Sequence, residues 1–470
     1  MATEIYLNGK RVAGSAPAAA VRAPFDGTLI AQVEQAGPDQ VQQAIAGMFR
    51  VRNDLSRMPA WKRAQACARV HQGLTERAEV FAKSIAHEAG KPIRTARGEV
   101  ARAISTFKLA AEEATRIPGE QLPVDIDPRG NGYWALVERF PIGPCAFITP
   151  FNFPLNLVAH KVAPAIAAGC PFIVKPSERT PLTALLLGEL LAEAALPEGT
   201  WSVLPCDRDV ARPLVTDDRI KLLSFTGSPE VGFKMKADAG KKQVVLELGN
   251  NSAVLLEPDT NLADAVPRIV SGAFGYAGQS CISVQRIYLH QAIAGEATRL
   301  LVAAAQNLVV GDPLAEQTDV GPVIDAAAAD RITRWIASSG GELLCGGRRE
   351  GSLLWPALLR GVQADSPLLT QEAFGPVAIL ETYRDFDDVL DRIDAGRFGL
   401  QAGLFVRDIH KVRKAFTRLE MGGVVINDVP TTRIDNMPYG GVKDSGLGRE
   451  GVKYALEHMT ERRVLLVRDA

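Results

Sequence analysis

From about residue 143 the apolar positions fall into a rhythm: short unbroken runs alternate with longer stretches whose apolar residues recur at helical spacing. "GPCAFITP" reads as a buried strand and "LNLVAHKVAPAIAAG" as a helix stopped by Gly169. "PFIVKPS" is a second strand, followed by the helix "PLTALLLGELLAEAAL", which opens on a proline. "TWSVLP", "IKLLSFTG", the helix "SPEVGFKMKADAG" and the strand "QVVLEL" continue the series. Strands apolar on both faces and separated by helices predict a parallel sheet covered on either side. A second series begins after Asn251 with "SAVLLE", "ADAVPRIVSGAFGYAG", "SVQRIYLH" and "AGEATRLLVAAAQNLV", and resumes at "VAILETY" and "GLQAGLFV". The fold class is therefore α/β, with two units meeting near residue 250. Residues 20–115, rich in Ala, Arg and Glu, are expected to be mainly helical.

Two segments belong to neither series. "GYWALVERFP" alternates like a strand exposed on one face, and "RRVLLVRD" near the end is another strand without a neighbour. Isolated strands are marginal, so the two are expected to pair with each other or across a subunit boundary.

Composition narrows the class. The 470 residues are 47% hydrophobic and 23% charged, as in an ordinary soluble globular protein. A formal net charge of -1 argues against a nucleic-acid or anionic-membrane partner. The opening "MATEIYLNGKRV" lacks a signal-peptide core, and no apolar run is long enough to span a bilayer. Six scattered cysteines without a CxxC pair suit reduced thiols in a cytoplasmic protein, not a disulfide framework or a zinc site.

Candidate chemistry sits where strands end. "SGLGREG" contains a GxGxxG at Gly446, Gly448 and Gly451, but it follows no clean strand and too little chain remains for a βαβ unit. It is read as a glycine-rich surface loop. "SFTGSPEVG" is the better nucleotide candidate: Gly227 ends a strand, Ser228 can cap the next helix, and free N–H groups there suit a pyrophosphate. Many well-capped junctions look the same. In "ITPFNFPLN", Asn152 stands at a strand's C-terminal end, either as a turn residue or as a rigid N–H donor facing developing negative charge. Glu247 ends the apolar strand of "LELGNNS", a costly place for a carboxylate unless it is solvated, paired or functional. One strand-helix excursion later comes "GYAGQSCISVQR", where Cys281 is expected beside a cleft. By itself that context favours a core or incidental thiol over a nucleophile.

Taken together, "ITPFNFP", "KPSERTP", "FTGSPEVG", "LELGNNS", "GQSCISVQR", "EAFGPV" and "PYGGVKDSGLGREG" stand in the order found in the NAD(P)-dependent aldehyde dehydrogenase superfamily. The chain resembles that family over nearly its whole length, and lactaldehyde-type and semialdehyde-type members most. The resemblance implies a parallel-sheet cofactor domain (1–120 and 141–248), an α/β catalytic domain (249–452) and a small β oligomerisation element (121–140 and 453–470). It also implies a homodimer or homotetramer. By the same resemblance Cys281 is the nucleophile, Glu247 the general base, and Asn152 an oxyanion donor together with the Cys281 backbone N–H.

Lys175 and Glu178 are expected on the adenosine ribose, with Thr149 and Pro150 lining the cofactor cleft. Gly227 and Ser228 should lie by the pyrophosphate, Glu372 on the nicotinamide ribose and Phe374 against the nicotinamide side. His160 and Arg433 are expected to border the substrate tunnel. The implied reaction is oxidation of an aldehyde to its acid through a cysteine thiohemiacetal and thioester, with water activated by Glu247 and no metal. NAD is expected over NADP, and a short hydroxy- or carboxy-aldehyde as substrate. A cofactor-independent thiol esterase would use the same three residues, and a CoA-acylating semialdehyde dehydrogenase is a further alternative. The family usually has a second glycine after "LELG"; here Asn250 stands there and is expected to tolerate a left-handed turn.

Overall fold

Five of the apolar runs build the centre of the first sheet in this computed structural model, which describes residues 2–469. Positions 1 and 470, the outermost of the expected partition, lie outside the described residues. Trp201–Val203, Phe172–Lys175, Cys145–Ile148, Leu222–Thr226 and Gln243–Glu247 lie side by side in that order, all parallel. Alternate residues serve opposite faces. Cys145, Phe147, Phe172 and Val174 pack with the helices Asn156–Ala168, Ala60–Glu76 and Leu182–Glu193. Ala146, Ile148, Ile173 and Leu223 pack on the other side with Pro38–Ser56. Ile5–Leu7 and Lys10–Val12 extend one edge antiparallel; the parallel strands start in the middle, at Cys145–Ile148, wind outward one way, and return to the other side at Leu222–Thr226. The gap between the carboxyl ends of those two strands is a topological switch point, where open α/β sheets hold ligands.

The second sheet runs Glu342–Cys345, Ala357–Arg360, Val377–Tyr383, Val284–His290, Ser252–Leu256, Gln401–Phe405 and Gly423–Ile426, parallel except at its first strand. The two lone strands find each other: Thr460–Arg468 pairs antiparallel with Tyr133–Pro141 over its full length, and Glu120–Leu122 adds a third strand. Among the described residues the other edge of Thr460–Arg468 pairs with nothing, and Val464, Leu465 and Leu466 are exposed. No helix among the described residues is long and apolar enough to cross a membrane.

Two expectations are corrected. Residues 20–115 are helical only from Pro38–Ser56 onward; before that, Ala16–Arg22 and Leu29–Gln35 form an antiparallel hairpin. Its turn uses Gly27 at φ +74° and the Asp26 carboxylate, which accepts from the Thr28 N–H. That turn chemistry outweighs the helix propensity of the alanines around it. The "SGLGREG" stretch is not a surface loop either. Gly446–Leu447 pairs antiparallel with the edge strand Gln243–Glu247. A Cβ at Gly446 would lie 2.3 Å from the Leu246 carbonyl oxygen, so the close approach requires glycine.

Candidate active site

A cleft of about 220 Å³ opens at the switch point and extends between the two sheets. Asn152 reaches it from the loop after Cys145–Ile148, Gly227 and Ser228 from the loop after Leu222–Thr226, and Glu247 from the end of its strand. Cys281, Glu372 and Phe374 close it from the second unit. Asn152, Gly227, Ser228 and Glu247 converge because each stands at the carboxyl end of a strand of the first sheet, while Cys281, Glu372 and Phe374 lie in loops that lead into strands of the second.

Cys281 is half-buried on the cleft wall, its Sγ 3.0 Å from the Tyr439 hydroxyl. Burial pushes the thiol up to about 12, only partly offset by that hydroxyl. The loop leading to it is strained: Tyr276 and Ala277 sit at φ +52° and +53°, left-handed values unusual for side-chain-bearing residues. Glu247 is buried, and neither of its carboxylate oxygens has a hydrogen-bond partner among the described residues. Burial and the nearby Glu450 carboxylate raise it well above the usual carboxyl range, against Lys161 and Arg433. A buried, unpartnered carboxyl is expensive to keep, which marks it as a group with work to do in the cleft. Asn152 is buried and donates from Nδ2 to the Gln279 carbonyl at 3.0 Å, so the oxyanion candidate and the Cys281 loop are tied together directly.

The remaining expected residues divide. Pro150 lines the cleft, while the Thr149 N–H is spent on the Lys175 carbonyl at 3.1 Å. Lys175 and Glu178 stand one strand further out along the same sheet edge, 3.5 Å apart, and are not on the wall around Cys281. Glu372 accepts from the Asn250 N–H at 3.1 Å, and burial raises it to about 7. A Cβ at Gly249 would lie 2.5 Å from Glu372 Oε2, which explains the glycine before Asn250. Asn250 itself is not in a left-handed conformation; its amide bonds Ser252 and the Gln401 carbonyl instead. Phe374 packs edge-on against Phe151, with centroids 5.7 Å apart.

His160 does not line the cleft. It is fully buried on Asn156–Ala168, with Nε2 3.1 Å from Asp435. Burial and Arg433 lower it to about 4 despite Asp435, so its ring is neutral at pH 7. Arg433 does line the cleft, but its partner is Glu450 at 3.1 Å, not Asp435. Its guanidinium lies 3.7 Å from the Tyr439 ring centroid, and its Nε has no partner among the described residues. Burial works to raise Glu450, yet Lys161 and Arg433 outweigh it and hold the carboxyl at about 2. Asp435 is taken by Arg102, whose Nε and Nη2 donate to it at 3.1 and 2.8 Å.

Sequence reasoning missed Arg102, which also lines the cleft, along with Lys161 and Glu450. Arg102 lies in a helix with no motif around it. Glu450 was hidden in the discounted GxGxxG, and the one signal for Lys161 was a charge inside the apolar run "LVAHKVAPA".

The Ser228 end of the cleft suits a phosphate of a nicotinamide dinucleotide. Ser228 takes the N-cap position of Pro229–Asp238 without a side-chain capping bond, which leaves the helix's first N–H groups available to an anion. Thr226 Oγ1 is buried beside them without a partner among the described residues.

The aldehyde dehydrogenase family model matches residues 12–465. A 3-sulfolactaldehyde dehydrogenase of Priestia aryabhattai is 41% identical over 442 residues, covering 93% of this chain and 92% of that protein. Aldehyde dehydrogenase 21 of Physcomitrella patens, solved with its reaction product succinate, superposes with a TM-score of 0.97 at 43% identity, covering 99% of this chain and 98% of that one. An NADP-dependent glyceraldehyde-3-phosphate dehydrogenase of Bacillus halodurans, solved with NADP, gives a TM-score of 0.97 at 32% identity and covers 100% of both chains. With sequence and fold matched over nearly its full length, this chain belongs to the aldehyde dehydrogenase family and is an oxidoreductase acting on aldehydes.

Proposed function

We propose that the enzyme oxidises a short aldehyde with an anionic tail to its acid, using NAD and a covalent Cys281 intermediate. The observation that carries this reading is the meeting of Cys281, Asn152 and an unpartnered buried Glu247 in one cleft. The Cys281 sulfur forms a bond to the aldehyde carbon, and the carbonyl π electrons move to oxygen. The Asn152 amide and the Cys281 backbone N–H donate to that alkoxide; one such donor is worth about 3 kcal/mol. A bound nicotinamide supplies the hydride acceptor, and the thioester remains on Cys281. Glu247 then takes a proton from water, which adds to the thioester carbon and frees the thiol and the acid. The thiol and the Glu247 carboxyl are both shifted toward their protonated forms, and both must lose the proton to act. The kcat/KM is therefore expected to climb from neutral into alkaline pH.

Two arginines support the anionic tail. Arg102 and Arg433 enter the same cleft, Arg433 with a free Nε and Arg102 with Nη1 outside its bond to Asp435. Guanidinium groups of this kind recognise carboxylate or sulfonate through charge-assisted bonds. The sulfolactaldehyde relative and the succinate in the moss enzyme agree with a carboxylate or sulfonate end. Arg102→Ala is expected to raise KM for succinate semialdehyde by roughly 10- to 100-fold, the scale of a lost charged hydrogen bond, while leaving propanal oxidation within about threefold. Equal losses on both would make Arg102 structural.

NAD preference rests on Glu178, about half exposed beside Lys175 at the sheet edge. A carboxylate accepting from the adenosine ribose hydroxyls would repel a 2′-phosphate. Glu178→Gln should raise the NADP to NAD ratio of kcat/KM, and a wild-type enzyme equally efficient with both would contradict the assignment. Assembly into a homo-oligomer is supported by the free, apolar edge of Thr460–Arg468.

A further inference from the structure

Outside the cleft, the ammonium of Lys91 is completely buried. It pairs with the equally buried Glu99, and the rings of Phe153 and Tyr276 lie against it with centroids 3.6 and 4.4 Å from Nζ. The two rings meet each other edge to face at 6.2 Å. Burial pulls the ammonium down to about 8, with Glu99 opposing the fall. Burying such a pair is costly, and an apolar replacement of similar shape is often as stable or more so. Stability alone does not account for it.

What Lys91 touches does. Phe153 follows Asn152 directly, and Tyr276 is the first strained residue of the loop that ends at Cys281. Glu99, the partner, accepts the N–H groups of Leu155 and Asn156 at 2.9 and 3.0 Å, which fixes the start of the helix behind the Asn152 loop. The Tyr276 hydroxyl donates to the Ala89 carbonyl at 3.0 Å, two residues before Lys91. The Asn152 amide then meets the Gln279 carbonyl on the cleft side. The loop carrying the oxyanion donor and the loop carrying the nucleophile are thus clasped twice, once at the reacting centre and once behind it.

We infer that Lys91, with Glu99, is a positioning residue that holds the Asn152 loop and the strained Cys281 loop in register for thiohemiacetal formation. The inference rests on the reading of Cys281 as nucleophile and Asn152 as oxyanion donor. The cation–π contacts set the spacing of the two loops, since an ammonium between two ring faces favours one separation. Misplacement of reacting groups by about 1 Å costs on the order of 100-fold in rate.

Lys91→Met and Lys91→Arg test this, read by steady-state NADH formation and by the rate at which iodoacetamide alkylates Cys281 from neutral to alkaline pH. Lys91→Met is expected to lower kcat on the order of 10- to 100-fold, with aldehyde KM within about threefold and the melting temperature little changed. Its alkylation rate profile should depart from wild type, and Lys91→Arg, which keeps the cation, should recover part of both. Wild-type kcat and alkylation in Lys91→Met would overturn the inference, as would losses that merely track the unfolded fraction. If Lys91→Met does not fold, Glu99→Gln takes its place: it keeps the shape and breaks the ion pair, and an unchanged kcat there would be equally decisive. A wild-type enzyme that forms no NADH from any aldehyde would sink the dehydrogenase reading, while the alkylation comparison would still judge Lys91.

Discussion

Cys281→Ala is expected to lose aldehyde-dependent NADH formation by at least about 10⁴-fold while folding normally and still binding the nucleotide. Among the described residues no other sulfur lines the cleft. The other five cysteines are buried, so none substitutes for it. Truncation removes one half-buried sulfur and its contact with the Tyr439 hydroxyl, a change expected to cost no more than about 1 kcal/mol. The same burial pattern offers a second check. Wild-type protein should show one thiol accessible to iodoacetamide, alkylated faster as pH rises, and the variant none. Residual steady-state turnover within a hundredfold of wild type would remove Cys281 from the nucleophile role.

Glu247→Gln should separate the two halves of the reaction. In the proposed reaction the thioester on Cys281 needs a base for its release, and Gln keeps the shape of Glu247 without its basicity. A burst of NADH close to one equivalent per site, followed by turnover about 10²- to 10⁴-fold slower than wild type, is the expected record. Loss of the burst itself would mean that Glu247 acts earlier, on the Cys281 proton. Stability supplies an independent signature. The folded-state pKa of Glu247 is raised above its unfolded value, so its favourable protonated form is fully present below the ordinary carboxyl range and is lost as pH rises through the folded pKa. Gln does not titrate. The variant's melting temperature relative to wild type should therefore increase from acid to alkaline pH, and a constant difference would contradict the raised pKa.

Much of the site could be read before any fold was known, because its parts are local. Asn152, Gly227 and Glu247 stand at or just after strand ends and Cys281 just before a strand begins, and periodicity plus turn residues mark such boundaries well. The two parallel sheets were legible for the same reason: strands buried on both faces are continuous apolar runs. The hairpin before residue 38 was not, since its alanine-rich strands carry a helical composition and only the Asp26–Gly27 turn marks the reversal.

Pairing was beyond the sequence. Arg102 and Asp435, 333 positions apart, share a bond because the helix Ile93–Glu113 packs beneath the loop that follows Gly423–Ile426. Arg433 turned to Glu450, not to its neighbour Asp435, and His160 was drawn into the core instead of the cleft. A local pattern says which residues are charged. It does not say which charges lose their water, and that loss decides whether a carboxyl such as Glu247 waits unpartnered or, like Glu450, is held ionised. The sequence by itself determined the apolar strand runs, the candidate residues at their ends and the family. Only the tertiary structure decided the register between the two loops, the ion pairs behind them and the resulting proton affinities, because those depend on burial and on contacts between residues hundreds of positions apart.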